Sequence, residues 1–405
     1  MAVPRGLVHG DVDEGYGPVA DAFRQNFAER DEIGAACAVY RDGRKVVDLW
    51  GGFRDGGTRQ PWCEDTVVTM FSTTKGLAAL TLALAHSRGW LDYEQPVAAY
   101  WPQFAWRGKS DITVRQLLAH QAGLAAIDLP LSIGDLADLD LLAAVLALQT
   151  PLWKPGSRHG YHGITFGWYA GELLRCVDPE GRSLGRFFAE VIAQPLGAEF
   201  FIGLPDGFDL NRRANLQGYR QWEAPLHLGE VPRGVMKALL TPGSLFRRAF
   251  ANPPELSHAA NFNRPELLRI ELPAGNGTGE VRAVAGIYGA VVSGGAGLTA
   301  ATLELLTAPA RPPSDGILDL VVGVPIMYSL GFVKPTREYP FGSCANAAFA
   351  AAGNGGSFGL ADPDTGVGYC YAPNRLGMGL TDEREVALRD ALYRDVLGER
   401  PQRAQ

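Results

Sequence analysis

Two kinds of hydrophobic pattern divide the chain. Near the N-terminus, residues 21–30 have helical spacing, and two β-rich runs follow at 35–40 and 45–50, split by the turn Arg41-Asp42-Gly43-Arg44. Such runs flanking a glycine turn predict a hairpin. From Ser72 to about Gly89 the apolar residues recur at helical spacing and continue all round the axis, the pattern of a helix buried on every side. Residues 91–176 read as helical, with 117–120 closing at Gly123 and 135–148 as the strongest case; residues 177–285 are broken by Pro and Gly. Two more helices are predicted at 283–293 and 300–307, then a proline-bearing loop at 308–316. Strand-like pieces follow at 330–333, 347–351, 357–361 and 367–371, the last two joined by the turn at 362–366, and an amphipathic helix at 382–397 closes the chain. Strands at both ends with helices between them predict an α+β fold. In it, residues 1–85 and 285–405 form an antiparallel sheet flanked by helices, residues 86–284 form an inserted, mostly helical section, and the active site lies between the two.

Composition narrows what such a fold does. With 405 residues, 46% of them apolar and 20% charged, the chain builds a large core and is not a disordered polymer. A net charge of −7 with no basic block excludes a phosphate-tracking surface, so nucleic acid is not an expected partner. The longest apolar stretches, 76–85 and 141–148, fall short of the roughly 20 residues that cross a bilayer. The first residues lack the apolar core of a secretory signal. The expectation is a soluble, cytoplasmic chain without membrane insertion. Five scattered cysteines with no C-x-x-C pair fit free thiols. The seven histidines are dispersed except for His159 and His162, which have no acidic third ligand nearby, so no metal is expected. The glycine-rich run 275–279 lacks the lysine of a phosphate loop, and no cofactor is expected. A homo-oligomer is compatible with this composition.

Only six lysines occur, and one of them has a serine three residues before it, in Ser72-Thr73-Thr74-Lys75. This tetrad stands where the extended run 66–70 hands over to the buried helix. On a helix, positions three apart share a face, so hydroxyl and amine can lie within hydrogen-bond reach. The helix start adds positive backbone potential for an oxyanion, and apolar neighbours keep a lysine neutral and basic. A helix-capping serine with an incidental lysine explains the tetrad equally well when it is taken alone. A competing nucleophile is Ser357, in Gly355-Gly356-Ser357-Phe358-Gly359, which matches the G-x-S-x-G elbow. That elbow requires a following helix and a downstream histidine, yet strand, turn and strand follow, and the last histidine is His258. Close packing between strands accounts for its glycines better.

Taken in order, Ser72-Thr73-Thr74-Lys75, Leu91-Asp92, the segment 112–124, Pro155-Gly156-Ser157, Tyr161-His162-Gly163 and Ala351-Ala352-Gly353-Asn354 resemble the β-lactamase-like serine hydrolases. That group contains class C β-lactamases, D-Ala-D-Ala carboxypeptidases and family VIII carboxylesterases. The resemblance covers roughly residues 15–398 and implies the β-lactamase/penicillin-binding-protein-like fold. It also implies Ser72 as nucleophile, Lys75 as its base and Tyr161 as the proton relay, with the backbone N–H groups of Ser72 and Asn354 as the oxyanion hole. His162, Ala351, Gly353 and Asn354 are implied to face the substrate. Two positions depart from the pattern. Gly163 stands where the second motif, Tyr-x-Asn, ends in asparagine, and Ala351 stands where the third carries lysine or histidine. Without a cation at 351, a substrate carboxylate gains little, which points to uncharged carboxylic esters with short- to medium-chain acyl groups. A β-lactamase or D-amino peptidase using Arg282 or Arg375, an acyltransferase, and an acyl-binding sensor without turnover remain alternatives. Trp153, Trp168, Trp222 and Phe246 are candidates to line an acyl pocket.

Overall fold

The computed structural model describes residues 5–219, 227, 229, 231 and 233–399. The expectation for Trp222 lies outside them. The expected hairpin forms from β2 (Gly34–Arg41) and β3 (Arg44–Asp55), and both turn residues are left-handed, Asp42 at φ 52° and Gly43 at φ 77°. Asp-Gly supplies this geometry at least cost. β1 (Val8–Val12) adds to the outer edge of β3, and the short β4 (Gln60–Pro61) also pairs with it. On the other side of β2 come the C-terminal strands β12 (Val367–Pro373), β11 (Phe358–Asp362), β10 (Phe349–Ala352), β9 (Phe332–Lys334) and β8 (Met327–Ser329). The two ends of the chain therefore close one antiparallel sheet, nine-stranded among the described residues, with β2 and β12 paired over residues 35–41 of β2.

Alternate residues of these strands feed two cores. Cys37, Val39, Tyr369 and Tyr371 pack against the Gly17–Glu29 helix and the C-terminal helix Glu383–Asp390. Ala38, Cys370 and Ala372 point the other way, into the larger core that contains the Thr74–Ser87 and Val281–Val292 helices. That core continues without a break through the Thr165–Val177 and Leu139–Leu148 helices. The Thr74–Ser87 helix is buried from Thr74 through Ala85, as its all-round apolar pattern predicts.

Three expectations need correction. Residues 330–333 do not form one strand, because Leu330 (φ 51°) and Gly331 (φ 93°) make the turn between β8 and β9. Residues 91–176 are less regular than their apolar spacing suggests. Short 3₁₀ turns at Val97–Ala99 and Pro102–Gly108, each beside a proline, precede the brief helix Val114–Leu118. Within 177–285, β6 (Phe200–Phe201) and β7 (Thr278–Gly279) join β5 (Val68–Thr69) in a small second sheet, with strands too short to announce themselves.

Candidate active site

Ser72 stands in the 3₁₀ turn Phe71–Thr73, immediately before the long buried helix. The preceding residue, Phe71, is held at φ 42°, a conformation that side chains avoid unless the surroundings enforce it. The enforcing contacts come from three directions. Thr74 Oγ1 donates to Phe71 O at 2.5 Å and accepts from Gly277 N–H at 2.9 Å, while Met70 N–H donates to Gly277 O at 2.9 Å. Ser357 Oγ donates to Met70 O at 2.8 Å and lies 3.0 Å from Thr73 Oγ1. Ser357 is thus a buried clamp on the turn that carries Ser72. The end of β10 presses on the same turn, since a Cβ at Gly353 would lie 2.3 Å from Met70 O and 2.1 Å from Ser357 Oγ. Asn354 follows in an exposed turn.

Lys75 follows Ser72 by one helical step, and its amine is 3.0 Å from Ser72 Oγ. The side chain is 2% exposed and also donates to Gly163 O at 2.7 Å and Ala274 O at 2.8 Å. Burial drives its pKa well below the ordinary value. A neutral amine fits these surroundings: two N–H groups reach the two carbonyls and the lone pair faces the serine hydroxyl. The Tyr161 ring lies under the amine at 4.7 Å, and the Tyr161 phenol interacts with Ser72. Burial raises that phenol's pKa, and the contact with Ser72 opposes the rise only in part.

The remaining expected site residues are placed less directly. Gly163 offers its carbonyl to Lys75, and a Cβ there would lie 2.6 Å from the Phe250 ring, so the space an asparagine would need is filled. His162 is not at the surface of the site. It is fully buried, its N–H donates to His120 Nδ1 at 3.1 Å, and its Nε2 accepts from Leu124 N–H at 3.0 Å, so it supports the Tyr161 segment from beneath. Burial lowers His162 to about 3 and His159 to about 4, leaving both neutral near pH 7. His120 ends its helix at φ 58°, the left-handed position expected of a helix terminus. Ala351 is 4% exposed, with its methyl against Gly76 of the buried helix, so it supplies an apolar wall. Trp153 and Phe246 pack with Tyr161 and Phe250 in one apolar cluster, whereas Trp168 belongs to the main core. Arg282 is tied to Asp48 at 3.3 Å and Glu64 at 3.1 Å, and the Arg375 guanidinium lies over the Tyr219 ring at 4.6 Å.

Sequence reasoning missed Ala274, Phe250 and Asp319. The first acts through a carbonyl that any residue carries. Asp319 left a faint signal, as the one acid in the run Ile317-Leu318-Asp319-Leu320-Val321-Val322.

A serine hydroxyl beside a desolvated amine, with a tyrosine ring against that amine, on a sheet-and-helix frame of this kind, defines a serine hydrolase. The chain belongs to the Beta-lactamase family, whose sequence pattern matches residues 19–393. It is 34% identical over 379 residues to the "Esterase/beta-lactamase LipL" of Mycobacterium tuberculosis, covering 91% of this chain and 83% of that protein. The crystal structure of a family VIII carboxylesterase superposes with a TM-score of 0.84 at 36% identity, covering 96% of this chain and 99% of the other. The structure of EstA from Arthrobacter nitroguajacolicus Rue61a superposes with a TM-score of 0.81 at 32% identity, with the same coverage. The fold is that of β-lactamases and penicillin-binding proteins. Among the described residues, no helix is long and apolar enough to cross a membrane.

Proposed function

We propose that this enzyme is a carboxylesterase that cleaves uncharged short- to medium-chain acyl esters through an acyl-enzyme on Ser72. The observation that carries the reading is the Lys75 amine, fixed by two carbonyls and 3.0 Å from Ser72 Oγ, in a site whose position 351 is a buried methyl. Lys75 accepts the Ser72 proton as Oγ attacks the ester carbonyl. The N–H groups of Ser72 and Asn354 hold the resulting oxyanion. As the ester C–O bond breaks, Tyr161 gives its proton to the departing alkoxide and is resupplied by Lys75. Water then enters, gives a proton back through the same pair, and releases the acid. An alcohol or amine in place of water would give acyl transfer by the same steps. The esterase names of the similar proteins support this substrate class, as do Ala351 and the Phe250 ring over Gly163, which leave no cation or amide side chain for a carboxylate or a lactam amide. The site would lie between the section formed by residues 1–85 with 285–405 and the section 86–284.

The test is hydrolysis of p-nitrophenyl acetate, butyrate and octanoate by the wild type, Ser72→Ala and Ser357→Ala, with intact mass recorded during turnover. Ser72→Ala should abolish activity and the acyl adduct. Ser357→Ala should keep measurable activity, because it loosens only the clamp on Met70. Full activity in Ser72→Ala would refute the assignment.

A further inference from the structure

Behind Tyr161 lies a carboxylate that the chemistry above does not use. Asp319 is fully buried in an apolar stretch of loop. Its Oδ1 accepts from Val321 N–H at 2.7 Å and Val322 N–H at 2.9 Å, its Oδ2 accepts from the Tyr328 hydroxyl at 3.1 Å, and the main-chain N–H of Tyr161 adds a favourable interaction with the charge. The loop runs beside the Tyr161 segment, bridged at His159 and Asp319, with Leu320 N–H donating to His159 O at 3.0 Å. The Tyr328 ring in turn stacks on Tyr161, with centroids 6.0 Å apart, and the His120 ring meets both. One carboxylate therefore grips both the backbone that carries Tyr161 and the ring stacked against it. Packing alone would be served by an apolar residue at lower cost, since a buried carboxylate must replace all its lost hydration.

We propose that Asp319 is a positioning residue for leaving-group protonation, holding the Tyr161 phenol on Ser72 through the Tyr161 main chain and the Tyr328 ring. The inference rests on Tyr161 being the proton relay. The Val321 and Val322 N–H groups and the Tyr328 hydroxyl all donate to the carboxylate, which favours its ionised form against the burial that raises its pKa. Its charge opposes ionisation of Tyr161, whose other polar and titratable neighbours are Ser72, Lys75, His120, Tyr328 and Tyr339. That keeps the proton on the phenol until the alkoxide needs it.

The experiment compares kcat/KM for a p-nitrophenyl ester and an ethyl ester of the same acid. p-Nitrophenolate departs without a proton, whereas ethoxide requires one. Asp319→Asn keeps an oxygen for the Val321 and Val322 N–H groups but removes the charge and turns an N–H toward the Tyr328 hydroxyl. It should lower ethyl-ester cleavage at least about tenfold more than p-nitrophenyl-ester cleavage, in the same sense as Tyr161→Phe. An equal fall for both esters, with or without a lower melting temperature, marks a merely structural residue and overturns the proposal. If Asp319→Asn does not fold, Tyr328→Phe removes one donor and leaves the ring in place. It should show the same discrimination to a smaller extent, and equal loss there overturns the proposal too. Tyr161→Phe without discrimination would instead refute the relay itself, and the role of Asp319 with it.

Discussion

At the scale of single residues, the proposed role of Lys75 as base ties activity to the protonation of its amine. Burial holds its pKa well below the ordinary 10.5, so the amine loses its proton at a pH where an exposed lysine would keep it. Activity should therefore rise with pH as Lys75 deprotonates and reach its plateau well below 10.5. Burial lowers His159 to about 4 and His162 to about 3, so neither changes charge near neutral pH. Lys75→Arg keeps a cation that never deprotonates in this range, and should cost about 10²–10⁴ in kcat/KM at every pH. Initial rates on a p-nitrophenyl ester from acid to alkaline pH check both statements. An inflection at the ordinary lysine value would mean that the amine is hydrated during catalysis. Ser72 and Lys75 were legible in the sequence because a helix converts a spacing of three into a contact. Tyr161 was not, since a tyrosine contacts Lys75 only once the loop of residues 158–163 has been folded over the helix. Asp319 lies still further off in sequence, and no local rule joins it to Tyr161.

At the scale of elements, the Thr74–Ser87 helix is packed tightly against the Val281–Val292 helix and the end of β10. A Cβ at Gly76 would lie 2.0 Å from the Tyr288 hydroxyl, a buried group without a hydrogen-bond partner, and 3.0 Å from the Ala351 methyl. In an exposed helix, alanine in place of glycine stabilises by about 1 kcal/mol. Here Gly76→Ala should destabilise by about 1–3 kcal/mol through overpacking. Tyr288→Phe removes the obstructing oxygen and should be close to neutral alone. The double variant should recover most of the loss, a non-additivity that urea denaturation of the four proteins would reveal. Additive effects would mean that the two helices move apart instead. The sequence predicted the buried helix from its apolar residues, and the β2–β3 hairpin from Asp42-Gly43. It did not predict the β8–β9 turn, because Leu330 adopts a left-handed conformation that its side chain disfavours and only the pairing of the flanking strands enforces. The apparent elbow around Ser357 has its own explanation: Gly355 and Gly356 turn the chain at φ 84° and 113°, and Gly359 makes room for Tyr288.

Across the whole molecule, the two ends of the chain are locked together by a buried ionic network that reaches the loop beside Ser72. Arg384, on the C-terminal helix, donates to Glu32 Oε1 at 3.1 Å, to Asp382 Oδ2 at 2.6 Å, and to the carbonyls of Arg375 at 2.8 Å and Gly355 at 3.5 Å. Glu32 follows the N-terminal helix and also accepts the Tyr371 hydroxyl from the sheet. The guanidinium thus joins the first helix, the last helix, the central strand β12 and the turn after Asn354. Burial raises the Glu32 pKa, and the charge of Arg384 is the largest influence opposing that rise. Arg384→Met removes the cation and leaves a buried carboxylate, which should cost about 3–5 kcal/mol near neutral pH. Without its partner, Glu32 has a folded-state pKa raised further above its unfolded value, so the penalty develops as pH climbs from the unfolded value through the folded one. It should shrink as the solution is acidified and Glu32 is protonated. Denaturant melts of the variant and wild type at several pH values would show the two curves converging toward acid. A constant gap would assign the loss to the carbonyl contacts at Gly355 and Arg375. In that case esterase activity should fall even where the fold survives, since the Gly355 turn adjoins the Asn354 N–H proposed to meet the oxyanion.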